Sequence, residues 1–221
     1  MNADNTKNRA SPAMPGTDVL PQKAARPNPQ GKGLVGLLDD WTQSQPRGVV
    51  AKRPAQLLAD YFTSLLVLSS SFGFRPVRNK TYHLYFFNEA WSLSLVSPAE
   101  WNCDRRRDAY AGACVLHEDA TWSIDPSESL GQPGPVSEAL ADAYRDFVER
   151  LDAGNKLGDS LPVYERSLPY VQRMCAAALG RSLGGSMRAG GQDAWSSDAW
   201  LEALPGASAQ VLSGPEDSQA E

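Results

Sequence analysis

Cysteine and histidine are scarce in this chain. Its three cysteines have no paired spacing, which excludes a disulfide scaffold and a four-cysteine zinc site. Its two histidines exclude a histidine-rich metal centre. Gly31-Lys32-Gly33 lacks the spacing of a phosphate loop, and no strand precedes it. No dinucleotide fingerprint occurs, so no cofactor is expected. Apolar runs are short as well. A bilayer span needs about 20 apolar residues, and the best stretch, Leu57 to Phe74, is broken by Asp60, Thr63 and Ser69-Ser70-Ser71. No basic start followed by an apolar run marks a signal peptide. The chain is therefore expected to be cytoplasmic, with reduced thiols and no membrane contact.

Positive charge is not in excess either. The net charge of −5 and the pI near 5.1 argue against nucleic-acid binding through bulk charge. The charge is also uneven. Residues 1–33 hold five bases against two acids, and residues 189–221 hold six acids and no base. Residues 34–188 are nearly balanced, with 16 bases and 18 acids. The ends are poor in apolar runs and rich in Pro, Gly or Ser. They read as a disordered basic arm over 1–33 and a disordered acidic tail over 184–221.

What remains is a single domain over 34–183 with clear periodicity. Leu34, Leu37, Leu38 and Trp41 make one face of a short helix. Pro54 suits a first helical turn, and Leu58, Tyr61, Phe62, Leu65, Leu68 and Phe72 continue the helical period. The period then changes to two. Thr81 to Phe87 and Trp91 to Val96 alternate and are joined by Asn88-Glu89-Ala90, which reads as a β-hairpin. Both faces of the first strand are apolar or aromatic, so it is expected to be central. Ser97-Pro98-Ala99-Glu100 is a helix-start pattern. Tyr110 to His117 is a third strand, with Gly112 leaving room for close backbone approach, and Thr121 to Ser123 a short fourth. Helices follow from Val136 to Leu151 and from Leu168 to Leu183. The expected fold class is α+β: a small antiparallel sheet of three to four strands, wound as a meander and packed by two to three helices.

Convergent ionisable groups are few. His117-Glu118-Asp119 is the densest cluster, with His83 and Cys114 as candidate neighbours. Consecutive residues at a strand end point in different directions, so a surface turn is the simpler reading. Cys114 and Cys175 fall in apolar elements, and Cys103 is the most exposed thiol by context, with no partner histidine. Arg75, Arg78, Lys80, Arg105, Arg106 and Arg107 surround an aromatic hairpin with Tyr82, Tyr85, Phe87 and Trp91. That arrangement can stack single-stranded bases, but the same aromatics fill a small sheet's core. In the tail, Trp195, Trp200, Leu201 and Leu204 lie among acids over 193–204. Such an island can fold as a short helix in a partner's groove or back on its own domain.

Tyr82-His83-Leu84-Tyr85, Ser94-Leu95-Val96-Ser97-Pro98-Ala99-Glu100-Trp101, then Tyr110-Ala111-Gly112-Ala113, Leu116, Asp119 and Thr121-Trp122 fall in one order. Over about residues 75–125 the chain resembles the family called domain of unknown function 2452, in its bacterial branch. The resemblance implies a fold signature and brings no activity or catalytic residues. Tyr85, Glu100, Trp101, Asp119 and Trp122 are the candidates for a ligand or partner surface near the strand ends. The leading expectation is a non-enzymatic protein-interaction or regulatory module. One alternative is single-stranded nucleic-acid binding on the hairpin 75–107. Another is a small-molecule enzyme with a site near His117–Asp119.

Overall fold

A computed structural model describes residues 32–102, 104, 108–153, 156–162 and 168–204. Helix α1 spans Lys32–Ser44 and α2 spans Pro54–Ser69. Four strands follow: β1 (Thr81–Phe87), β2 (Ala90–Ser94), β3 (Tyr110–Leu116) and β4 (Trp122–Pro126). Helices α3 (Pro135–Asp152), α4 (Leu157–Ser160), α5 (Tyr170–Ala189) and α6 (Ser197–Glu202) complete the described fold.

The strands form one antiparallel sheet in the order β2-β1-β3-β4. This is the α+β class expected, and β1 is central as its two apolar faces imply. The order corrects the meander in one respect. The chain returns from β2 across β1, so β3 pairs with β1 rather than with β2. The two hairpins are local. Phe87 pairs with Ala90, which leaves Asn88 and Glu89 as a two-residue turn. Their φ values of 52° and 59° are those of a type I′ turn, whose twist matches that of the strands it joins. At Gly112 a Cβ would sit 2.4 Å from the Asp125 carbonyl oxygen, so only glycine lets β3 lie this close to β4.

One sheet face carries the core. Tyr82, Leu84, Leu93, Cys114, Leu116, Trp122 and Ile124 are buried there against the helices. Helix α2 lies between that face and α5, and is apolar around most of its circumference for that reason. Leu57, Leu58 and Val67 are completely buried, each contributing about 1.5–3 kcal/mol of transfer free energy. Tyr61 and Phe62 of α2 meet Phe147 and Tyr144 of α3 with centroids 5.3–5.4 Å apart. Ala176, Ala177 and Ala178 are buried on α5, where small side chains permit close packing.

Polar groups tie these layers where backbone would otherwise be orphaned. The Ser64 hydroxyl accepts the outward N–H of Trp122 on edge strand β4 at 2.9 Å. Gln172 of α5 donates to the Ser70 carbonyl just past the end of α2 at 2.7 Å. Tyr61 donates to the Ser160 carbonyl at 2.5 Å, which anchors α4.

The larger correction concerns the C-terminal boundary. Helix α5 runs to Ala189, and residues 190–204 continue as ordered chain ending in α6. Trp200 is 1% exposed and belongs to the core, α6 packs on α3, and the Trp195 ring lies tilted against that of Trp200 with centroids 5.1 Å apart. The first part of the expected acidic tail is thus part of the domain. Its expected remainder, 205–221, and the arm through residue 31 lie outside the described residues. Among the described residues no helix is long and apolar enough to cross a membrane.

Candidate functional site

Period-two alternation sends Thr81 and His83 of β1, and Ala113 and Val115 of β3, to the face away from α2 and α3. An irregularity between Leu84 and Tyr85 shifts the register so that Tyr85 lies opposite Tyr110. Those two rings, 5.4 Å apart, therefore share the face turned away from α2 and α3. Tyr85 is its floor. It is buried, its hydroxyl donates to the Val96 carbonyl at 2.8 Å, and Trp101 covers it edge-on at 6.3 Å. His83 and Tyr110 stay half-exposed, with the imidazole Nδ1 3.5 Å from the Tyr110 hydroxyl.

Glu100 stands beside this patch because the turn at 97–100 closes as its sequence pattern predicts. Its carboxylate accepts from the Ser97 N–H at 2.8 Å and the Ser97 hydroxyl at 2.7 Å. The Ser97 N–H, then its hydroxyl, hold the Glu100 carboxyl below its ordinary range, with a further contribution from His83. Burial lowers the pKa of His83, and Glu100 opposes that shift. Burial pushes Tyr110 up to about 12, helped by Tyr85, Cys114 and Asp125. Glu100 and Asp125 thus both act on the patch electrostatically. Beside it, Thr81, Ala113, Val115, Ser123, Asp125 and Pro126 line an open depression of about 530 Å³.

Of the five predicted surface residues, the fold brings Tyr85, Glu100 and Trp101 together and sends the other two elsewhere. Trp122 is a core residue on the opposite face, 5.8 Å from Tyr82. Asp119 belongs to an inward ion cluster. Lys52 Nζ lies 2.5 Å from Asp60 Oδ2 and 2.6 Å from Asp119 Oδ2. Gln56 donates to Asp60 at 2.7 Å, and Thr121 donates to Asp119 through both its N–H and its hydroxyl. Burial alone would lower Lys52. The Asp60 charge and the hydrogen bonds to both carboxylates outweigh it and raise the ammonium above its ordinary value. Burial alone would raise Asp119, but the hydrogen bonds from Lys52 and Thr121 bring it below.

The His117–Asp119 cluster therefore separates into three local networks. His117 Nε2 pairs with the Ser123 hydroxyl at 2.7 Å. Glu118 accepts from Asn79 at 3.1 Å and faces Arg78 at 3.6 Å. Asp119 turns inward to Lys52. His83 and Cys114 lie on opposite faces of the sheet and join none of them. Among the described residues no group of three or more His, Cys, Asp or Glu could hold a metal ion.

The aromatic and basic hairpin divides as well. Tyr82, Phe86 and Trp91 face the core, while Arg75 and Arg78 line a separate cleft with residues of α1 and α5. Arg78 donates to the Gln45 carbonyl at 2.6 Å, at the end of α1. Arg105, Arg106, Arg107 and Cys103 lie outside the described residues. In the tail, Trp200 is buried, and Trp195, Leu201 and Leu204 are partly buried against the core.

Two features gave no signal in the sequence. One is the Lys52 cluster, whose members come from three segments. The other is an apolar cleft of about 430 Å³ between the 75–78 segment, the end of α1 and the first turns of α5. A smaller cavity of about 350 Å³ opens between α2 and α3 beside Asp146 and Arg150. None of these cavities is lined by Tyr85, Trp101 or Trp122. The chain matches no protein-family model, no curated protein and no solved structure.

Proposed function

We propose that this domain is a non-catalytic interaction module whose protein partner docks across the face of the sheet turned away from α2 and α3. The observation that carries the reading is the half-exposed pair His83 and Tyr110 on a rigid aromatic floor, beside the depression at Ala113 and Val115. Strands hold these groups in place, so docking orders few side chains and costs little entropy. The dispersal of His117, Glu118 and Asp119 removes the one cluster that supported an enzyme. Glu100 and Asp125 favour a partner surface that presents apolar and basic side chains. The same carboxylates repel a phosphate backbone, and Arg75 and Arg78 line a separate cleft, so a protein fits better than single-stranded nucleic acid.

A photo-activated crosslinker placed at Val115 is expected to trap a protein in cells. Adding Tyr110→Ala and Asp125→Lys is expected to cut that yield at least fivefold. Equal trapping from Glu149 on the exposed side of α3, or a yield indifferent to those substitutions, overturns the reading. Tight binding of single-stranded oligonucleotides that Tyr110→Ala abolishes would replace it with the nucleic-acid alternative.

A further inference from the structure

His83 and Asp125 flank one small residue on the proposed docking face. The antiparallel register sets His83 of β1 opposite Ala113 of β3, and Ala113 opposite Asp125 of β4. Directly opposed residues point to the same side of a sheet, so these three form one row across it. Neighbouring strands lie about 4.8 Å apart, which puts the backbones of β1 and β4 about 10 Å from each other along that row. The methyl group of Ala113 fills little of the space between. The row is therefore a notch with Ala113 as its floor. Val115 extends the floor along β3, between Thr81 and Ser123 of the next row. Ala113, Val115 and Asp125 all line the open depression of about 530 Å³.

The walls of the notch differ in chemistry. Asp125 is exposed, and among the described residues no hydrogen bond or ion pair engages its carboxylate. Its charge reaches the Tyr110 phenol and helps to keep it protonated. Tyr110 and His83 are both half-exposed, with ring centroids 5.9 Å apart. Burial lowers the pKa of His83, so its imidazole is neutral near pH 7 and sets no like charge against a cation. A free carboxylate, an aromatic ring and a short apolar floor fit one side chain better than the others. Arginine has an apolar stem, a flat head that stacks on an aromatic ring, and a fork of donors that matches a carboxylate. Lysine shares the stem and the charge but has neither the flat head nor the fork.

We infer, on the reading of this face as a docking surface, that the notch receives an arginine side chain of the protein partner, its stem over Ala113 and its guanidinium between the Tyr110 ring and the Asp125 carboxylate. The pair formed is charge-assisted and two-pronged. No standing ion pair of Asp125 has to break first. Both recognising groups stand on strands, so little order is lost on binding.

The test is a nuclear magnetic resonance titration of the full chain with N-acetyl-arginine methylamide and with its citrulline and lysine counterparts. The arginine probe is expected to shift the amide signals of Ala113, Val115 and Asp125 saturably, in the millimolar range. Citrulline has the same shape without the charge and is expected to bind at least fivefold more weakly. Lysine is expected to bind at least threefold more weakly. Asp125→Asn is expected to weaken the arginine probe fivefold or more. Tyr110→Leu, which keeps an apolar group without a ring face, is expected to weaken it about threefold. The same spectra report whether each variant is folded, and Asp125→Asn, at an exposed position, decides alone where Tyr110→Leu unfolds. Equal binding of arginine and citrulline, shifts confined to other surfaces, or indifference to Asp125→Asn overturns the inference. Lysine bound as tightly as arginine overturns the arginine assignment. The titration needs no cellular partner, so the two readings fail separately. A notch that ignores arginine, with trapping at Val115 intact, sinks this inference alone. A silent crosslinker at Val115, with arginine still bound, sinks the docking reading and leaves the arginine site standing.

Discussion

Lys52 and Asp119 stand 67 residues apart in the chain and 2.6 Å apart in the fold. Lys52 precedes α2, and Asp119 sits in the β3–β4 turn. With Asp60 on α2 they form a partly buried cluster that fixes the sheet's β3–β4 end against the central helix. The Lys52 carbonyl is held in turn by Gln192, beyond the end of α5, at 2.9 Å. Four segments thus meet at one ammonium group and its peptide. This assigns Asp119 a structural part in place of the surface part expected from its sequence context.

Asp119→Asn should therefore destabilise the domain without affecting docking at the sheet face. Removing one partner of a buried pair costs about 3–5 kcal/mol. Here Asp60 still pairs with Lys52, and the side chains keep 13–17% of their exposure. The expected loss is about 1–3 kcal/mol, read as a lower urea midpoint. An unchanged midpoint would show that the cluster contributes nothing net.

The same cluster sets a pH dependence with a definite sign. Asp119 is held below its ordinary 3.8, so its contribution is complete above that value and is lost as pH falls through the folded-state pKa. Lys52 is raised above its ordinary 10.5, so its contribution is complete below 10.5 and is lost as pH rises through the folded-state pKa. Urea midpoints measured against pH should fall off on the acid side below about pH 4, and that acid limb should be shallower in Asp119→Asn. Parallel limbs in the two proteins would remove Asp119 as the source.

The β1–β2 turn stores strain that one substitution should relieve. Glu89 has a φ of 59°, a left-handed conformation that costs a residue with a Cβ about 1–2 kcal/mol. Its side chain is exposed at the tip of the hairpin. Glu89→Gly creates Asn-Gly, the preferred pair for a type I′ turn. Glycine returns part of the gain through its freedom in the unfolded chain. A net stabilisation of about 0.5–1 kcal/mol is expected in chemical denaturation. A loss of stability would mean that Glu89 makes a compensating interaction.

Where the sequence was informative, local periodicity carried the information. Thr81–Phe87 begins and ends where its alternation does, and the two-sided apolarity of that strand marked it as central. Gly112 was recognisable because a missing Cβ has a direct steric meaning. The return of β3 to the side of β1 was not legible, because strand order depends on which edge β2 leaves open. In this fold the Ser71 backbone pairs with β2 at that edge. The candidate surface was legible only where its residues share one face. Tyr85, Glu100 and Trp101 converge there, whereas Trp122 and Asp119 are as near in sequence but turn away through strand parity and the Lys52 attraction. The cleft was invisible because its arginines and its apolar wall come from segments about a hundred residues apart.

Composition misled most at the C-terminal end, and that is where a stability measurement decides most. Residues 184–204 are rich in Gly, Ser and acids, which reads as unstructured chain. Two features outweigh that composition. Gly184 and Gly185 sit within α5, and a Cβ at Gly185 would come within 3.1 Å of the Val49 side chain, which would have to give by a few tenths of an ångström to admit it. Ser186 donates to the Val50 carbonyl at 2.7 Å, Gln192 is buried, and Ser196 accepts the Ala199 N–H at the start of α6. These contacts deliver Trp200 to the core beside α3. Trp200→Ala should then cost about 3–5 kcal/mol, the range for removing a buried large aromatic. The urea midpoint of the whole domain should fall in a single cooperative transition. A segment held free for a partner would predict a change near zero, and that result would detach residues 193–204 from the domain. Trp195→Ala, at a ring only partly buried, should cost markedly less, which separates loss of core packing from a general effect of removing tryptophan.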